Sequence, residues 1–344
     1  MRVYALNTLK SGEDTIDLVR DSIPIQGVIG LSKRANSELI SGYSYQQELC
    51  SQFDLPYIDV ATYGLISEPD KAAITSLEID ILLVVGWQRL IPKWLIDHCR
   101  ICAIGVHGSP FGITKGRGRS PQNWAILMGE RTFDVSIFEI DDKIDSGRVF
   151  DTRSFVYSEF DDIKTSYYKS SILTARMIAD LLRQPEFYQK SFPRQSECDA
   201  EYLPQRQPSD GAIDWNASNS QIRNLVRALT RPYPGARTSI NGSQIQIWHI
   251  TPFAIDFASN SYRTGEIVKV FGAGDFLVRT RAGYMLVDDF ESDGDGFRPK
   301  AGMMLESADW QQQIQSIIQR HEEKYPMLKV SKSVQEFLLA THDH

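Results

Sequence analysis

The segment Ile104–Val149 contains side chains that can carry out proton transfer. His107 follows an apolar, β-branched run, and Gly108 and Ser109 follow it. An acidic turn places Asp145 38 positions further along the chain. A carboxylate beside an imidazole orients the ring and stabilises its protonated form, as general acid–base catalysis requires. Taken alone, the pair is equally consistent with a buried histidine bonded to the backbone.

A basic, glycine-rich loop follows the histidine. In this loop Lys115, Arg117 and Arg119 alternate with Gly116 and Gly118. Glycines let backbone N–H groups approach a ligand, and arginine side chains bind phosphate oxygens through paired hydrogen bonds. The loop therefore indicates either a phosphate site for a substrate or a solvated loop with incidental charge, and the residues favour neither.

The first half of the chain alternates short apolar runs with longer amphipathic stretches, as in a parallel sheet covered by helices. The predicted strands are Val3–Leu6, Gly27–Leu31, Ile81–Val85, Ala103–Val106 and Val135–Ile140. The predicted helices are Asp14–Asp21, Tyr45–Phe53, Ile91–His98, Pro121–Met128 (with Ser120 as N-cap) and Thr165–Leu182. Ligands bind such folds at the carboxyl ends of the strands. Trp87–Ile91 and His107–Ser109 both follow predicted strands directly.

The second half has a different pattern. Residues 184–207 are polar and contain several prolines, which predicts a linker or a surface loop. After a helix over Gln221–Leu229, short strands are predicted over Thr238–Ile250, Gly265–Val270, Phe276–Thr280 and Tyr284–Phe290, with Asn241-Gly242 as a hairpin turn. This pattern predicts a small β-barrel or open β domain, followed from Ser307 by one or two helices.

The charge of the chain disfavours a polyanionic partner. The net charge is −7, and residues 201–344 contain 15 Lys and Arg against 17 Asp and Glu. Because nucleic-acid binders gain most of their affinity by neutralising phosphates, no nucleic-acid partner is favoured. Arg223, Arg227 and Arg231 recur every four residues and form one stripe on a helix. Such a stripe is more often a solvated face than a phosphate site.

The composition also indicates where in the cell the protein is located and whether it binds a metal. No apolar run reaches eighteen residues and the amino terminus lacks the layout of an export signal, so we expect a cytoplasmic protein without a membrane partner. Cys99 and Cys102 form a single C-x-x-C pair, for which two buried thiols are favoured over a metal or redox site. Asp293-Gly294-Asp295-Gly296 is interpreted as a polar turn because the later ligands of a calcium loop are absent. No metal is therefore expected.

Several stretches occur together in one order. They are His107-Gly108-Ser109, Arg117-Gly118-Arg119-Ser120-Pro121-Gln122-Asn123-Trp124-Ala125, Gly129-Glu130 and Ile144-Asp145-Ser146-Gly147. They resemble the H-x-S-L-L-P-x-x-R-G-x-x-P-x-x-W-A, G-E and L-D-T-G motifs of the formyltransferases that use 10-formyltetrahydrofolate. Further along, Arg227-Ala228 and Tyr233-Pro234-Gly235-Ala236 resemble the R-A-x-x-x-P-Y-P-G-A signature of that family's second domain. The resemblance covers roughly residues 70–300.

The resemblance implies a fold and a domain order. It implies an α/β protein with a Rossmann-like, parallel-sheet catalytic domain over residues 1–200. A small open, OB-like β-barrel over residues 204–305 and a helical tail over residues 306–344 follow. The small β domain and the tail both offer surfaces for a homodimer.

The resemblance also implies a one-carbon transferase with 10-formyltetrahydrofolate as cofactor. The pterin is expected between two loops, which comprise Trp87, Gln88, Arg89, Leu90 and Ile91 on one side and Ile140, Asp141, Asp142 and Ile144 on the other. An acceptor amine would attack the formyl carbon, with His107 as base or oxyanion stabiliser and Asp145 as its partner. Ser109, Lys115, Arg117 and Arg119 are the candidate residues for binding the acceptor.

The sequence departs from the family at two points. Gly105 stands where the family has an asparagine that donates to the oxyanion, a contact worth about 3 kcal/mol in a transition state. The loop from His107 to Arg117 is also about two residues longer. Asn123, Gln88, Ser109 or a backbone N–H are candidate replacements for the missing donor, and Asn123 is taken as the catalytic candidate.

We therefore predict an N-formyltransferase acting on a small-molecule amine, most consistent with an amino sugar linked to a nucleotide. The alternatives are methionyl-tRNA formyltransferase, which would bind tRNA with a strong salt dependence, and a non-catalytic folate- or nucleotide-binding relative, which Gly105 would explain.

Overall fold

The computed structural model describes residues 1–33, 40, 42–184, 186–255, 261–293 and 297–340. Most of the turn predicted at Asp293–Gly296 lies outside the described residues.

Strands and helices alternate through the first half of the chain, and strands predominate in the second half until two helices follow them. The strands are β1 Val3–Asn7, β2 Ile25–Leu31, β3 Tyr57–Val60, β4 Ile81–Gly86, β5 Cys102–Ser109, β6 Arg117–Gly118, β7 Thr132–Glu139, β8 Val149–Val156, β9 Tyr202–Leu203, β10 Ala236–Ile240, β11 Ser243–Pro252, β12 Ile267–Val270, β13 Phe276–Thr280 and β14 Gly283–Ser292. The helices are α1 Lys10–Arg20, α2 Gln47–Phe53, α3 Glu68–Thr75, α4 Lys93–His98, α5 Gly112–Lys115, α6 Pro121–Met128, α7 Ile163–Leu182, α8 Asn219–Leu229, α9 Trp310–Lys324 and α10 Lys332–Ala340. Short 3₁₀ helices lie at Phe187–Gln189 and Pro208–Gly211.

The chain divides into two compact units. The first contains residues 1–117, 132–156 and 166–200, and the second contains residues 118–131, 157–165 and 201–344. The division near residue 200 lies where the sequence changes its pattern. Two short segments from the first half of the chain, which include α6, belong to the second unit.

The first unit is built on a seven-stranded sheet in the order β3-β2-β1-β4-β5-β7-β8. Strands β1 to β5 run parallel to one another, whereas β7 is antiparallel to both β5 and β8. The central strand β4 reads Ile-Leu-Leu-Val-Val-Gly and is buried along most of its length, as expected for a parallel strand covered on both faces. The predicted Rossmann-like fold is confirmed, with two antiparallel strands added at one edge.

An apolar cluster on one side of this sheet supports the loops that follow β1 and β4. Leu6, Leu82 and Val84 from the sheet pack with Trp87, Ile91 and Leu95 from the loop and helix after β4. Because buried side chains pack as densely as in a crystal, this cluster fixes the position of the loop after β4.

The second unit contains an antiparallel sheet in the order β10-β11-β14-β13-β12. Strands β10 and β11 are joined at Asn241 and Gly242, whose φ angles of 48° and 80° are those that Asn-Gly adopts in tight hairpins. Helices α9 and α10 form the expected tail. The predicted architecture of this half is confirmed.

Helix α6 begins one residue after Ser120, as predicted, but the serine does not cap it. Ser120 has a left-handed φ of 58° and its side chain makes no capping hydrogen bond. Pro121 occupies the first turn, and the helix ends at Gly129 with a φ of 73°. The expectation of a serine cap is therefore wrong, because the left-handed backbone at this position directs the hydroxyl elsewhere.

The three arginines predicted to form one stripe on a helix are bonded within the second unit. Arg223 and Arg227 lie in α8, but Arg231 lies after the helix has ended at Leu229. Arg223 donates to the carbonyl of Glu159, and Arg227 donates to the carbonyl of Asp161 at 2.9 Å. Arg231 pairs with Asp289 at 2.6 Å. These contacts give the three arginines partners within the protein, and their interpretation as a face without a phosphate remains a prediction.

Among the described residues, no helix combines the length and apolarity needed to span a membrane, and no group of three or more potential metal ligands occurs.

All four cysteines are free thiols, and three of them are buried. Burial raises the pKa of Cys99 and Cys102 to about 12 and that of Cys50 to about 11. Since the thiolate is the reactive form, we expect only the exposed Cys198 to react quickly with Ellman's reagent in the native protein, and all four to react in denaturant. Fast native labelling of a second thiol would contradict the interpretation of Cys99 and Cys102 as buried structural residues.

Candidate active site

His107 lies in β5, near the carboxyl end of the strand, and is buried. Its Nε2 lies 2.6 Å from the carbonyl oxygen of Gly116, and its Nδ1 lies 3.4 Å from a carboxylate oxygen of Asp145. Because a backbone carbonyl only accepts, the contact with Gly116 assigns a proton to Nε2. The two side chains that the sequence singled out therefore meet in the first unit.

Asp145 reaches His107 by a different path from the one expected. The sequence suggested two neighbouring strand ends, but β7 runs antiparallel to β5, so that Glu139 at its end lies opposite Ile104. The loop between β7 and β8 must then return along β5 to bring Asp145 to the imidazole. Asp145 has a left-handed φ of 48°, which is costly for a residue with a side chain and is found at functional sites.

The acidic loop is organised by Asp141. One carboxylate oxygen of Asp141 accepts hydrogen bonds from the Ser146 hydroxyl at 2.6 Å and from the Lys143 backbone N–H at 3.1 Å. Asp141 thus stabilises the turn that presents Asp145. Asp142, another candidate for cofactor binding, is exposed beside it.

Gln195 was not predicted from the sequence, and it lies at the centre of a network around this loop. Its amide group donates to the carbonyls of Asp145 at 2.8 Å and Gly147 at 2.9 Å. Its amide oxygen accepts from Arg117 at 3.2 Å and from Thr114 at 3.1 Å. The only sequence signal was a polar glutamine in a stretch interpreted as a linker or surface loop, which is too weak to identify it.

Arg117 is fully buried, although it was a candidate for binding a substrate phosphate. Besides Gln195, its guanidinium donates to Glu197 at 2.8 Å, and this contact lowers the pKa of the Glu197 carboxyl. Lys115 in the same unit and Arg119 in the second unit are exposed. Ser109 is buried, and its hydroxyl oxygen accepts from the Phe111 N–H at 3.0 Å.

Gly105 is shielded by the ring of Phe138. Phe138 lies opposite Gly105 in the antiparallel pair of β5 and β7. A Cβ atom at position 105 would lie 2.8 Å from the Phe138 Cζ and 2.9 Å from the Ile140 Cγ1, closer than side chains normally pack. The space for the family's asparagine is therefore occupied by apolar atoms from the neighbouring strand.

The loop after β4 offers donors suited to a heterocyclic ligand. Trp87 is buried and stacks edge-on against Tyr63 with ring centroids 4.9 Å apart. Its indole Nε1–H has no hydrogen-bond partner in the part of the chain that the structure describes, and neither has the buried hydroxyl of Thr8. The Thr8 backbone bonds to Gly86, so both orphan groups lie where β1 and β4 end. Buried polar groups are rarely left unsatisfied, so these two groups are available to bond to a ligand or to water.

The other residues of this loop are arranged around Trp87. Gln88 donates its backbone N–H to the Tyr63 hydroxyl at 3.0 Å, and Arg89 lies over the Tyr63 ring. Leu90 is 61% exposed, whereas Ile91 is buried in the core. The loop thus offers both an exposed apolar side chain and an unpaired indole N–H, a combination that suits a flat ligand with polar edges. These residues therefore fit a pterin.

A cavity of about 450 Å³ borders the acidic loop. It is lined by charged and polar groups that include Asp141, Lys143, Ser146, Gln195 and Glu197. Trp87–Ile91 do not line it, so we do not place the pterin there. Of the remaining candidates, Ile140 is held by a backbone bond to Ala103 at 2.8 Å, and Ile144 is partly buried in the loop.

Asn123 belongs to the second unit, where its side chain is buried. Its Nδ2 donates to the carbonyl of Ala228 at 2.6 Å, and its Oδ1 accepts from Arg206. Both ends of the amide are thus engaged in contacts between α6 and the residues around α8. These bonds give Asn123 a structural function in this unit.

Comparison with known proteins assigns the family. A model of "formyl transferase" matches residues 52–170, and a model of "formyl transferase, C-terminal domain" matches residues 206–295. Among curated relatives, the methionyl-tRNA formyltransferase of Ruminiclostridium cellulolyticum is 30% identical over 221 residues, which are 64% of this chain and 69% of the relative. The chain belongs to the formyl transferase family.

Solved structures share the fold. HypX from Aquifex aeolicus in complex with tetrahydrofolic acid has a TM-score of 0.57 at 16% identity, over 96% of this chain and 48% of HypX. An N-formyltransferase from Helicobacter canadensis has a TM-score of 0.54 at 13% identity, over 85% of this chain and all of that chain. The present chain thus spans about half the length of HypX. The family's reaction is formyl transfer from a formyl-tetrahydrofolate, and this chain is an enzyme of that class.

Proposed function

We propose that the protein is a cytoplasmic N-formyltransferase that moves the formyl group of 10-formyltetrahydrofolate to the amine of a nucleotide-linked amino sugar. The observation that carries the chemistry is the contact of 3.4 Å between His107 Nδ1 and Asp145 at the end of β5. The observation that favours a small acceptor is the net charge of −7.

The donor would be held by the loops after β1 and β4. The Trp87 indole N–H and the Thr8 hydroxyl would bond to its polar edges, and Leu90 would cover its apolar part. When bound, 10-formyltetrahydrofolate supplies a formyl carbon attached to a nitrogen that can leave. Asp141 and Ser146 contribute by keeping the acidic loop closed beside the imidazole.

His107 would transfer the proton during the reaction. When the acceptor amine attacks the formyl carbon, a C–N bond to the acceptor forms and the C–N bond to the folate breaks. The amine must lose one proton, and the folate nitrogen must gain one. The Nε2–H of His107, now directed to Gly116, can be redirected to the departing folate nitrogen and donated to it. Nε2, which then lacks a proton, can accept the proton that the attacking amine loses, so that the ring returns to its starting state. Asp145 orients the ring during both steps.

The charge of the chain supports the proposal of a small acceptor. In the second unit, residues 201–344 carry 15 basic against 17 acidic side chains, and Arg223, Arg227 and Arg231 are bonded to the protein itself. A tRNA-binding platform would need an excess of accessible Lys and Arg. The H. canadensis neighbour binds dTDP-3-aminofucose, a compact acceptor that requires no such excess. Lys115, which is exposed in the same unit as His107, is the remaining candidate for contact with its phosphates.

Methionyl-tRNA formyltransferase is the second candidate, because the curated relatives with that name match at 26–30% identity. A non-catalytic, folate-binding relative is the third, because Gly105 removes the family's amide donor.

The experiment is an acceptor screen with the purified full chain and 10-formyltetrahydrofolate. We expect turnover with one or more dTDP- or UDP-linked sugars that bear an amine on C3 or C4. We expect no turnover with methionyl-initiator tRNA, which would otherwise bind with a steep salt dependence. Formylation of the tRNA would establish the second candidate, and folate binding without turnover on any acceptor would establish the third.

A further inference from the structure

We propose that Gln195 is a positioning residue that sets the geometry of the catalytic pair by bonding at once to both segments that contact His107. The inference rests on the proposed roles of His107 and Asp145. The described hydrogen bonds of Gln195 to the acidic loop are to backbone carbonyls, so its effect on the reaction would be transmitted through the backbone.

The first line of support is the contact with the acidic loop. Both amide hydrogens of Gln195 are donated to carbonyls on either side of Ser146, namely those of Asp145 and Gly147. Asp145 has a left-handed backbone with a φ of 48°. A residue with a side chain keeps that conformation only when its surroundings impose it. The bond from Gln195 to the Asp145 carbonyl is one such constraint, and it acts directly on the strained residue.

Gln195 also contacts the segment that runs from α5 into β6. The amide oxygen of Gln195 accepts from Arg117 and Thr114. These two residues flank Gly116, whose carbonyl accepts from His107 Nε2 at 2.6 Å. One side chain therefore joins the segment that contacts Nδ1 of the imidazole to the segment that contacts Nε2.

The hydrogen bonds made at position 195 require an amide side chain. Two carbonyl oxygens on one side require an NH₂ group, and two donors on the other side require an oxygen, so the amide has a single allowed orientation. Glutamate would retain the acceptor for Arg117 and Thr114 but would lose both donors. Methionine has a similar shape and would lose all four contacts.

The buried Arg117 makes this arrangement rigid. Its guanidinium is fully buried and bonds to Gln195 and Glu197 together. Because the charge is paired within the same segment, Gln195 is not required to neutralise it. Replacement of Gln195 by an uncharged residue should therefore disturb the position of the loops more than the charge balance.

The test compares Gln195→Glu and Gln195→Met in the full chain, with the acceptor identified by the screen. Gln189→Met is the matched control, since Gln189 is an exposed glutamine of the same segment. We expect both substitutions at 195 to lower kcat about tenfold to a hundredfold, as misplacement of a catalytic group does, with the KM for 10-formyltetrahydrofolate within about twofold of wild type. The control should leave both constants and the thermal midpoint unchanged.

Two results would overturn the inference. If Gln195→Glu keeps the wild-type kcat, Gln195 acts only as a partner for Arg117. If both variants keep kcat while the thermal midpoint falls, its role is structural. Should Gln195→Met not fold, Gln195→Glu and Thr114→Val carry the same comparison, and the Thr114 variant should show a smaller drop in kcat. Wild type without turnover, or full activity in His107→Asn, would instead refute the proposed function.

Discussion

Formyl transfer should fall by about 10²- to 10⁴-fold in kcat when His107 is replaced by asparagine, the range expected for loss of a general acid–base group. Asparagine can still bond to the Gly116 carbonyl, so the fold around β5 should persist. It cannot relay a proton from the amine to the folate nitrogen. Steady-state kinetics with the identified sugar nucleotide would measure the effect.

A matched control exists in the same unit. His98 also places its Nε2 against a backbone carbonyl, that of Leu77 at 2.9 Å, but it lies at the end of α4 without a carboxylate partner in a described hydrogen bond. His98→Asn should therefore leave kcat near the wild-type value. Wild-type transfer by His107→Asn, with a thermal midpoint close to that of the control, would remove His107 from the mechanism.

Restoring the family's asparagine by Gly105→Asn should destabilise the protein by about 1–3 kcal/mol, the usual cost of overpacking a core. The cause is the distance of 2.8 Å between the new Cβ and the Phe138 ring. We expect the thermal midpoint to fall and kcat not to rise, because the amide cannot enter the space that Phe138 fills. Thermal unfolding and kinetics of the single variant test this.

The double variant Gly105→Asn, Phe138→Ala should distinguish the effect of packing on stability from the effect of the asparagine amide on catalysis. Removing the ring alone costs about 3–5 kcal/mol, and the asparagine side chain should refill part of the cavity. The free energy of unfolding of the double variant should then exceed the value expected from adding the two single effects by about 1 kcal/mol or more. Its kcat should exceed that of Phe138→Ala by about tenfold or more, since an oxyanion donor is returned. Strict additivity in stability would show that the two positions do not share this space.

The sequence predicted those parts of the fold that depend on local patterns. Continuous apolar runs identified β1, β2, β4 and β5, and the Asn241-Gly242 turn identified the hairpin of the second unit. Strand β8 was missed because it contains the charged residues Asp151 and Arg153, which are tolerated in an edge strand but are also typical of a loop. The reversal of β7 was missed because strand direction leaves no periodicity in a sequence.

The candidate site was predicted in part. His107 and Asp145 follow from motifs, and the structure brings them together. Arg117 was expected to face a phosphate, but it is buried with Gln195 and Glu197, because burial of a charge depends on partners that are 78 and 80 positions away. Gln195 lies beyond the reach of any short-range pattern, since it contacts the acidic loop from 50 positions away.

The separation in sequence between Gln195 and the acidic loop has a consequence for when the nascent enzyme acquires activity. The sheet strands that carry His107 and frame the Asp145 loop are complete once the chain has passed Val156, and contacts between nearby segments close at a low entropic cost. The side chain that holds the loop arrives only after the twenty-residue helix α7 has been synthesised and docked. A nascent chain that ends before Gln195 therefore contains His107 and Asp145 but lacks the side chain that holds the loop beside the imidazole.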